Sequence, residues 1–332
     1  MLNHLKIKNY ILMLTLSLVP FVLPGIAQHA VAAPSARNHH VFCDIKRSLV
    51  GLQAGLTIEN YTAIIDSFRL KVGCDGIRLN INSQTSAEAS VDSNKWGKES
   101  YNDLYHKVYS YARSKNMLIY ANLLPEPQAL EFGGNADRWI SVVSGYANHF
   151  CPDFLGPFNE NGKLDQHREI SRAIQHRLKA NCTDQFGTQI AKIVMVGPDS
   201  GSVKSLMKTM RREPGLEENF DIMSAHNNAG GANSPVGVSR EDRSSSREDW
   251  IMMRRSFDKA IWASEIASGW DSFPVSGRNM GKNVGVQAAV TSGAVDAIVL
   301  YAAVSLLENG TYNLNPKGLA ISEGLRASGW IR

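Results

Sequence analysis

The chain has 332 residues, 43% of them hydrophobic and 20% charged. That share is too apolar for an extended disordered protein and is enough for one large core or two modest ones. Thirty-five lysines and arginines against thirty-one acids leave +4, spread along the chain, so nucleic-acid binding is not expected.

The first 32 residues read as an export signal (Met1–Ala32). Lys6 and Lys8 form a basic start, Ile11–Val22 is almost wholly apolar, and Ala30-Val31-Ala32 supplies the small residues of a cleavage site. The apolar run is short of the ~20 residues a spanning helix needs, and Pro20 interrupts it. No stable membrane insertion after signal removal is therefore expected. Loss of two lysines takes the net charge from +4 to +2. The expected product is a nearly neutral, monomeric, secreted or periplasmic protein.

Export places Cys43, Cys74, Cys151 and Cys182 in an oxidising compartment, where disulfides are the default. Their spacing is not that of a C-x-x-C metal or redox motif. Of the three pairings, Cys43–Cys74 with Cys151–Cys182 is favoured, because each pair then sits at the same end of neighbouring elements.

Along the remaining chain, short β-rich runs alternate with helical patterns. Strands are expected at Leu49–Gly55, Gly76–Ile81, Met117–Leu123, Phe154–Asn159, Lys192–Gly197, Phe220–His226, Ala260–Glu265 and Ala294–Tyr301. Helices are expected at Thr57–Leu70 (N-capped by Thr57), Tyr101–Ser114, Ala136–His149, Leu164–Ala180, Val203–Arg211, Arg247–Phe257, Lys282–Thr291 and Leu319–Ala327. Eight strands alternating with eight helices is the count of a (β/α)8 TIM barrel, an α/β fold, expected to occupy residues 33–332 as one catalytic domain. A doubly wound open sheet shares the alternation, but no G-x-G-x-x-G or P-loop supports its nucleotide-binding versions.

In such a barrel, chemistry belongs at the carboxyl ends of the strands, and polar residues gather there. The second strand ends Arg78-Leu79-Asn80 and the third reaches Asn122. Asn159-Glu160 follows the fourth, His226 with Asn227-Asn228 ends the sixth, Glu265 the seventh and Tyr301 the eighth. A carboxylate at the edge of a buried strand is costly unless paired or functional. Two of them, facing each other across the mouth, are what glycosidic-bond hydrolysis requires: one protonated to release the leaving oxygen, one ionised to attack.

With Asn159-Glu160 in GPFNE and Glu265 in IWASE, the chain resembles glycoside hydrolase clan A, the retaining glycosidases on a (β/α)8 barrel. The resemblance implies Glu160 as acid/base and Glu265 as nucleophile. It further implies Asn159 on the sugar 2-hydroxyl, Arg78 beside the nucleophile and His226 near the acid/base. The chain departs from the pattern at Asn161, where many clan members have Pro, and at Tyr301, where many have Trp; the individual family therefore stays open. The G-P-x-N-E pattern and modest size are similar to small β-1,3-glucanases and exopolysaccharide-cleaving members of the clan.

Sugar platforms should be aromatic, and Trp96 and Trp270 are the best-placed candidates. With Arg78, Asn80, Asn122, Asn159, His226, Asn228 and Tyr301 they make up the expected substrate-binding set. Trp262 alternates out of phase with Glu265 and should face the helices, while Trp139 and Trp250 lie in helical patterns and read as core. The long loop Asn227–Ser246 is a candidate cleft wall or lid. Asn60, Asn181 and Asn309 sit in glycosylation sequons. With no G-x-S-x-G, H-E-x-x-H or H-x-H spacing, neither cofactor nor metal is expected. The reading is an exported, endo-acting retaining β-glycosidase whose partner is a β-glucan or exopolysaccharide. The alternatives are a non-catalytic glycan-binding barrel of a surface assembly, and a barrel of other chemistry with a metal among Asn80, Glu160 and Glu265.

Overall fold

A computed structural model of the protein describes residues 39–45, 58–81, 101–123, 135–160, 166–184, 186–227, 245–266, 285–301, 303–308 and 310–332. The export segment, Leu49–Gly55, Thr57, Trp96, Asn228, Trp270 and Asn309 lie outside these residues, as do the side chains of Asn60 and Asn80.

Eight strands form a closed parallel barrel: β1 His40–Asp44, β2 Gly76–Ile81, β3 Leu118–Leu123, β4 Phe154–Gly156, β5 Val194–Ser200, β6 Ile222–Asn227, β7 Ala260–Ile266 and β8 Ala297–Leu300. Each pairs with its neighbours in sequence, and β1 closes the ring against β8 with Cys43 opposite Leu300. The helices on the outside are α1 Ile58–Ser67, α2 Tyr101–Ser114, α3 Ala136–Phe150, α4 His167–Arg177, α5 Val203–Arg212, α6 Arg247–Ser256, α7 Gly285–Ser292 and α8 Pro316–Ala327. A small hairpin, Cys182–Thr183 with Gln189–Ile190, stands apart from the barrel sheet.

The first strand differs from expectation. The place assigned to Leu49–Gly55 belongs to β1, whose sequence HVFCD carries a histidine and an aspartate and so lacks an apolar run. Alternation nonetheless governs it: Phe42 points into the barrel, and Val41 and Cys43 join the core beneath the helices. β4 is shorter than expected because Pro157 has no N–H to extend the ladder. α8 begins three residues early, with Pro316 in its first turn and the Asn315 side chain accepting from Gly318 N–H at 3.0 Å.

Two cores result. Between barrel and helices lies a continuous apolar layer that includes Trp139 and Trp250. Inside the barrel, Phe42, Tyr120, Phe154 and Trp262 form an aromatic plug, the Phe42 ring 5.0 Å from Trp262 and 5.7 Å from Phe154. It fills the lower barrel and leaves only the carboxyl ends for chemistry. Both disulfides form as favoured, Cys43–Cys74 with Cα atoms 5.9 Å apart and Cys151–Cys182 at 5.7 Å, within the usual range for the bond. Among the described residues no helix is long and apolar enough to cross a membrane.

Trp262 corrects the sequence reading. It is buried, but it belongs to the interior plug rather than to the helix-facing layer. The cause is a β-bulge: Ala225 pairs with Ala263 and His226 with Glu265, so Ser264 is an extra residue in β7. The bulge reverses the alternation, and Trp262 below it and Glu265 above it both face inward. β5 does the same near its end, where Gly197 pairs with Met223 but Ser200 with Ala225.

Candidate active site

The carboxyl ends of the strands bring the expected residues together around Arg78. This side chain is 1% exposed and has four acceptors. Its Nη1 donates to Glu265 Oε2 at 2.6 Å and to Asp44 Oδ2 at 2.9 Å. Its Nη2 donates to Asn122 Oδ1 at 2.5 Å and to Asn159 Oδ1 at 3.1 Å. The register explains the convergence, since Asp44 lies opposite Arg78 and Gly156 opposite Asn122. Burial alone would lower the guanidinium pKa, but the charges of Glu265 and Asp44 outweigh it and raise it. Arg78 is a permanent cation here, and by Coulomb attraction it favours the ionised form of Glu265.

Glu160 follows Asn159 with a φ of 59°, a conformation non-glycine residues take only when their surroundings enforce it. The enforcing contact is its N–H, donated to Asp199 O at 2.9 Å. One carboxylate oxygen, Oε1, lies 3.1 Å from His226 Nδ1. The Glu160 side chain is 20% exposed while His226 is fully buried. A carboxylate oxygen of Glu160, a ring nitrogen of His226 and a carboxylate oxygen of Glu265 lie within 4.8 Å of one another.

The His226 pKa is raised from its usual value. Burial would lower it, but the carboxylates of Glu265, Glu160 and Asp199 prevail. Its Nε2 is buried with no hydrogen-bond partner among the described residues. Because the folded-state pKa exceeds the unfolded one, this histidine stabilises the fold fully below about pH 6.5. That contribution is lost as pH rises through the folded pKa. Melting temperatures of the wild type and His226→Asn should therefore converge from pH 6 towards pH 9; a gap that stays constant would show that the charge contributes nothing.

Tyr301 completes the ring of expected residues, its aromatic centroid 6.0 Å from Arg78 Cζ. The Asn80 backbone pairs with Asn122 on β3, while Trp96, Asn228 and Trp270 lie outside the described residues. The two ends of the long sixth-strand loop are tied beside the site: Asn227 Nδ2 donates to Ser245 O at 2.8 Å and Ser245 Oγ to His226 O at 3.0 Å.

Four residues were not anticipated from sequence: Asp44, Tyr120, Asp199 and Ser224. Asp199 is fully buried at the end of β5 and accepts from Asn122 Nδ2 at 2.5 Å, from the Tyr120 hydroxyl and from the Ser224 hydroxyl. Gly156 makes room for this cluster. A Cβ there would fall 2.5 Å from Asn122 Nδ2 and 2.6 Å from the Tyr120 hydroxyl.

No protein-family model and no curated protein matches the chain. Solved structures do. It is similar to a glycoside hydrolase family 30 subfamily 8 xylanase from Clostridium acetobutylicum, with TM-score 0.55 and 12% identity, covering 85% of this chain and 70% of that one. A tri-modular endo-β-1,4-glucanase from Bacillus halodurans gives TM-score 0.56 and 13% identity, covering 89% and 61%. A Bacteroidetes-affiliated cellulase gives TM-score 0.53 and 10% identity, covering 88% and 91%. At these identities the likeness establishes a shared barrel fold.

Proposed function

We propose that the protein is an exported retaining β-glycoside hydrolase, endo-acting on a polysaccharide such as a β-glucan or exopolysaccharide, with residues 1–32 removed as a signal. The observation that carries this reading is the carboxylate pair at the barrel mouth, with oxygens within 4.8 Å. Retaining enzymes hold their carboxyl groups about 5–5.5 Å apart, and inverting ones about 6.5–9.5 Å apart to leave space for a water. The two environments also differ as the chemistry demands. Glu265 sits on a guanidinium, whereas Glu160 is more exposed and bonded to a titratable ring. That similar barrels belong to a xylanase and an endoglucanase is in keeping with it.

In the first step Glu265 attacks the anomeric carbon as its bond to the leaving oxygen breaks, and Glu160 gives that oxygen a proton. A glycosyl ester on Glu265 results. In the second step Glu160 takes a proton from water, whose oxygen displaces Glu265 and restores the original anomeric configuration. Asn159 is held by Arg78 where it would meet the sugar 2-hydroxyl. Tyr301, Asn80, Asn122 and Asn228 would line the sugar site, with Trp96 and Trp270 as stacking platforms.

The test is a polysaccharide panel with the purified mature protein, following the product anomer by proton NMR. Release of oligosaccharides with retained configuration is expected. Inversion, or no cleavage across the panel, refutes the assignment. A second reading, a metal-dependent barrel, draws on the Glu160–His226–Glu265 cluster. The Arg78 cation on Glu265 opposes it, since any ion there would face that charge at close range. Activity surviving EDTA dialysis favours the first reading.

A further inference from the structure

The catalytic scheme leaves the buried Asp199 carboxylate at its centre without a task. We propose that Asp199 is a positioning residue that aligns both glutamates, holding Arg78 against Glu265 through Asn122 and holding Glu160 through the main-chain turn that its own side chain anchors. The inference rests on the roles given above to Glu160 and Glu265.

The geometry runs in two directions from Asp199. Towards β7, its Oδ2 and the Phe158 carbonyl (2.9 Å) both accept from Asn122 Nδ2, and together they turn the Asn122 carbonyl oxygen towards Arg78 Nη2. An Asn122 amide turned the other way would present a donor to the guanidinium, and Arg78 would lose one of its four acceptors. Towards β4, the Asp199 carbonyl accepts the Glu160 N–H at 2.9 Å and so maintains the unusual backbone that aims Glu160. The carbonyl itself is held because the Asp199 side chain is bound by Ser224 and Tyr120, and its own N–H donates to Ser224 Oγ at 3.2 Å. The Tyr120 hydroxyl keeps its proton for this purpose: burial and the Asp199 charge push its pKa well above the usual value. Asp199 reaches the barrel interior only because of the bulge in β5, at a φ of 50° that asparagine also tolerates.

Three variants of the full chain test this. Asp199→Ala removes the acceptor and should lower kcat ten- to a hundredfold at nearly constant KM, as misplacement of about 1 Å does. Asp199→Asn keeps an acceptor oxygen and should restore most of that loss. Tyr120→Phe removes one of the three donors to Asp199 and leaves Asn122 and Ser224 on it; it should lower the melting temperature with a much smaller fall in kcat per folded molecule than Asp199→Ala. Equal kcat in Asp199→Ala and wild type, no rescue by Asn, or an equal fall in Tyr120→Phe each overturns the proposal. Should Asp199→Ala not fold, Asn122→Ala cuts the same link from the other side, and an unchanged kcat there is equally fatal. Proton–nitrogen NMR of the His226 ring gives a readout independent of turnover. The ring proton bonded to Glu160 should persist in Asp199→Asn and vanish in Asp199→Ala. If that pattern holds while the wild type cleaves no glycan, it is the glycosidase assignment that has failed, not the positioning.

Discussion

Glu265→Gln should abolish turnover of any cleaved glycan, by about 10⁴-fold or more, the order seen when a covalent nucleophile is removed from a preorganised site. The amide has nearly the same shape, and Arg78 keeps Asp44, Asn122 and Asn159 as acceptors, so the fold should persist. Glu160→Gln should behave differently with the leaving group. On a polysaccharide, whose leaving oxygen needs a proton, it should be as inactive as Glu265→Gln. On an aryl glycoside, whose leaving group departs unaided, the first step should survive and the second should stall, giving a burst of aryl alcohol followed by slow release. Steady-state rates, burst amplitudes and circular dichroism of both variants check this. Full activity in either variant would remove it from the mechanism.

The second large effect concerns stability. Arg78→Met should cost about 3–5 kcal/mol, because it strands Asp44 and Glu265 as buried carboxylates with no counter-charge. Lysine should rescue little, since one ammonium cannot reach four acceptors in the plane that the guanidinium spans. Adding Asp44→Asn to Arg78→Met should return part of the loss, because one of the two stranded charges is then gone. Urea unfolding of the three variants measures the differences. A loss below about 1 kcal/mol would mean that water enters the site freely and that the pairs behave as surface ones.

The sequence carried the alternation of strands and helices clearly, because parallel strands such as Ala297–Leu300 are apolar throughout and the helices are amphipathic. It carried Glu160, Glu265 and Arg78 because polar residues at the ends of such strands are conspicuous. It hid β1, where Asp44 interrupts the apolar signal by facing the site. It also hid Asp199, and it aimed Trp262 at the wrong layer. Strict alternation from Val194 and Val196 would turn Asp199 outward, and strict alternation from Glu265 turns Trp262 outward. Both errors share one cause: an extra residue in a strand, which only pairing with the neighbour reveals.

That added residue at Ser264 divides β7 into two stretches under separate geometric control. Ala260 to Ala263 answer to the shape of the plug, whereas Glu265 and Ile266 answer to the mouth, and the phase of one no longer dictates the phase of the other. Flattening the bulge with every residue kept would swing the acid out among the helices while leaving the tryptophan where it is. A cylinder with such a joint can refill its floor without re-aiming the group above it.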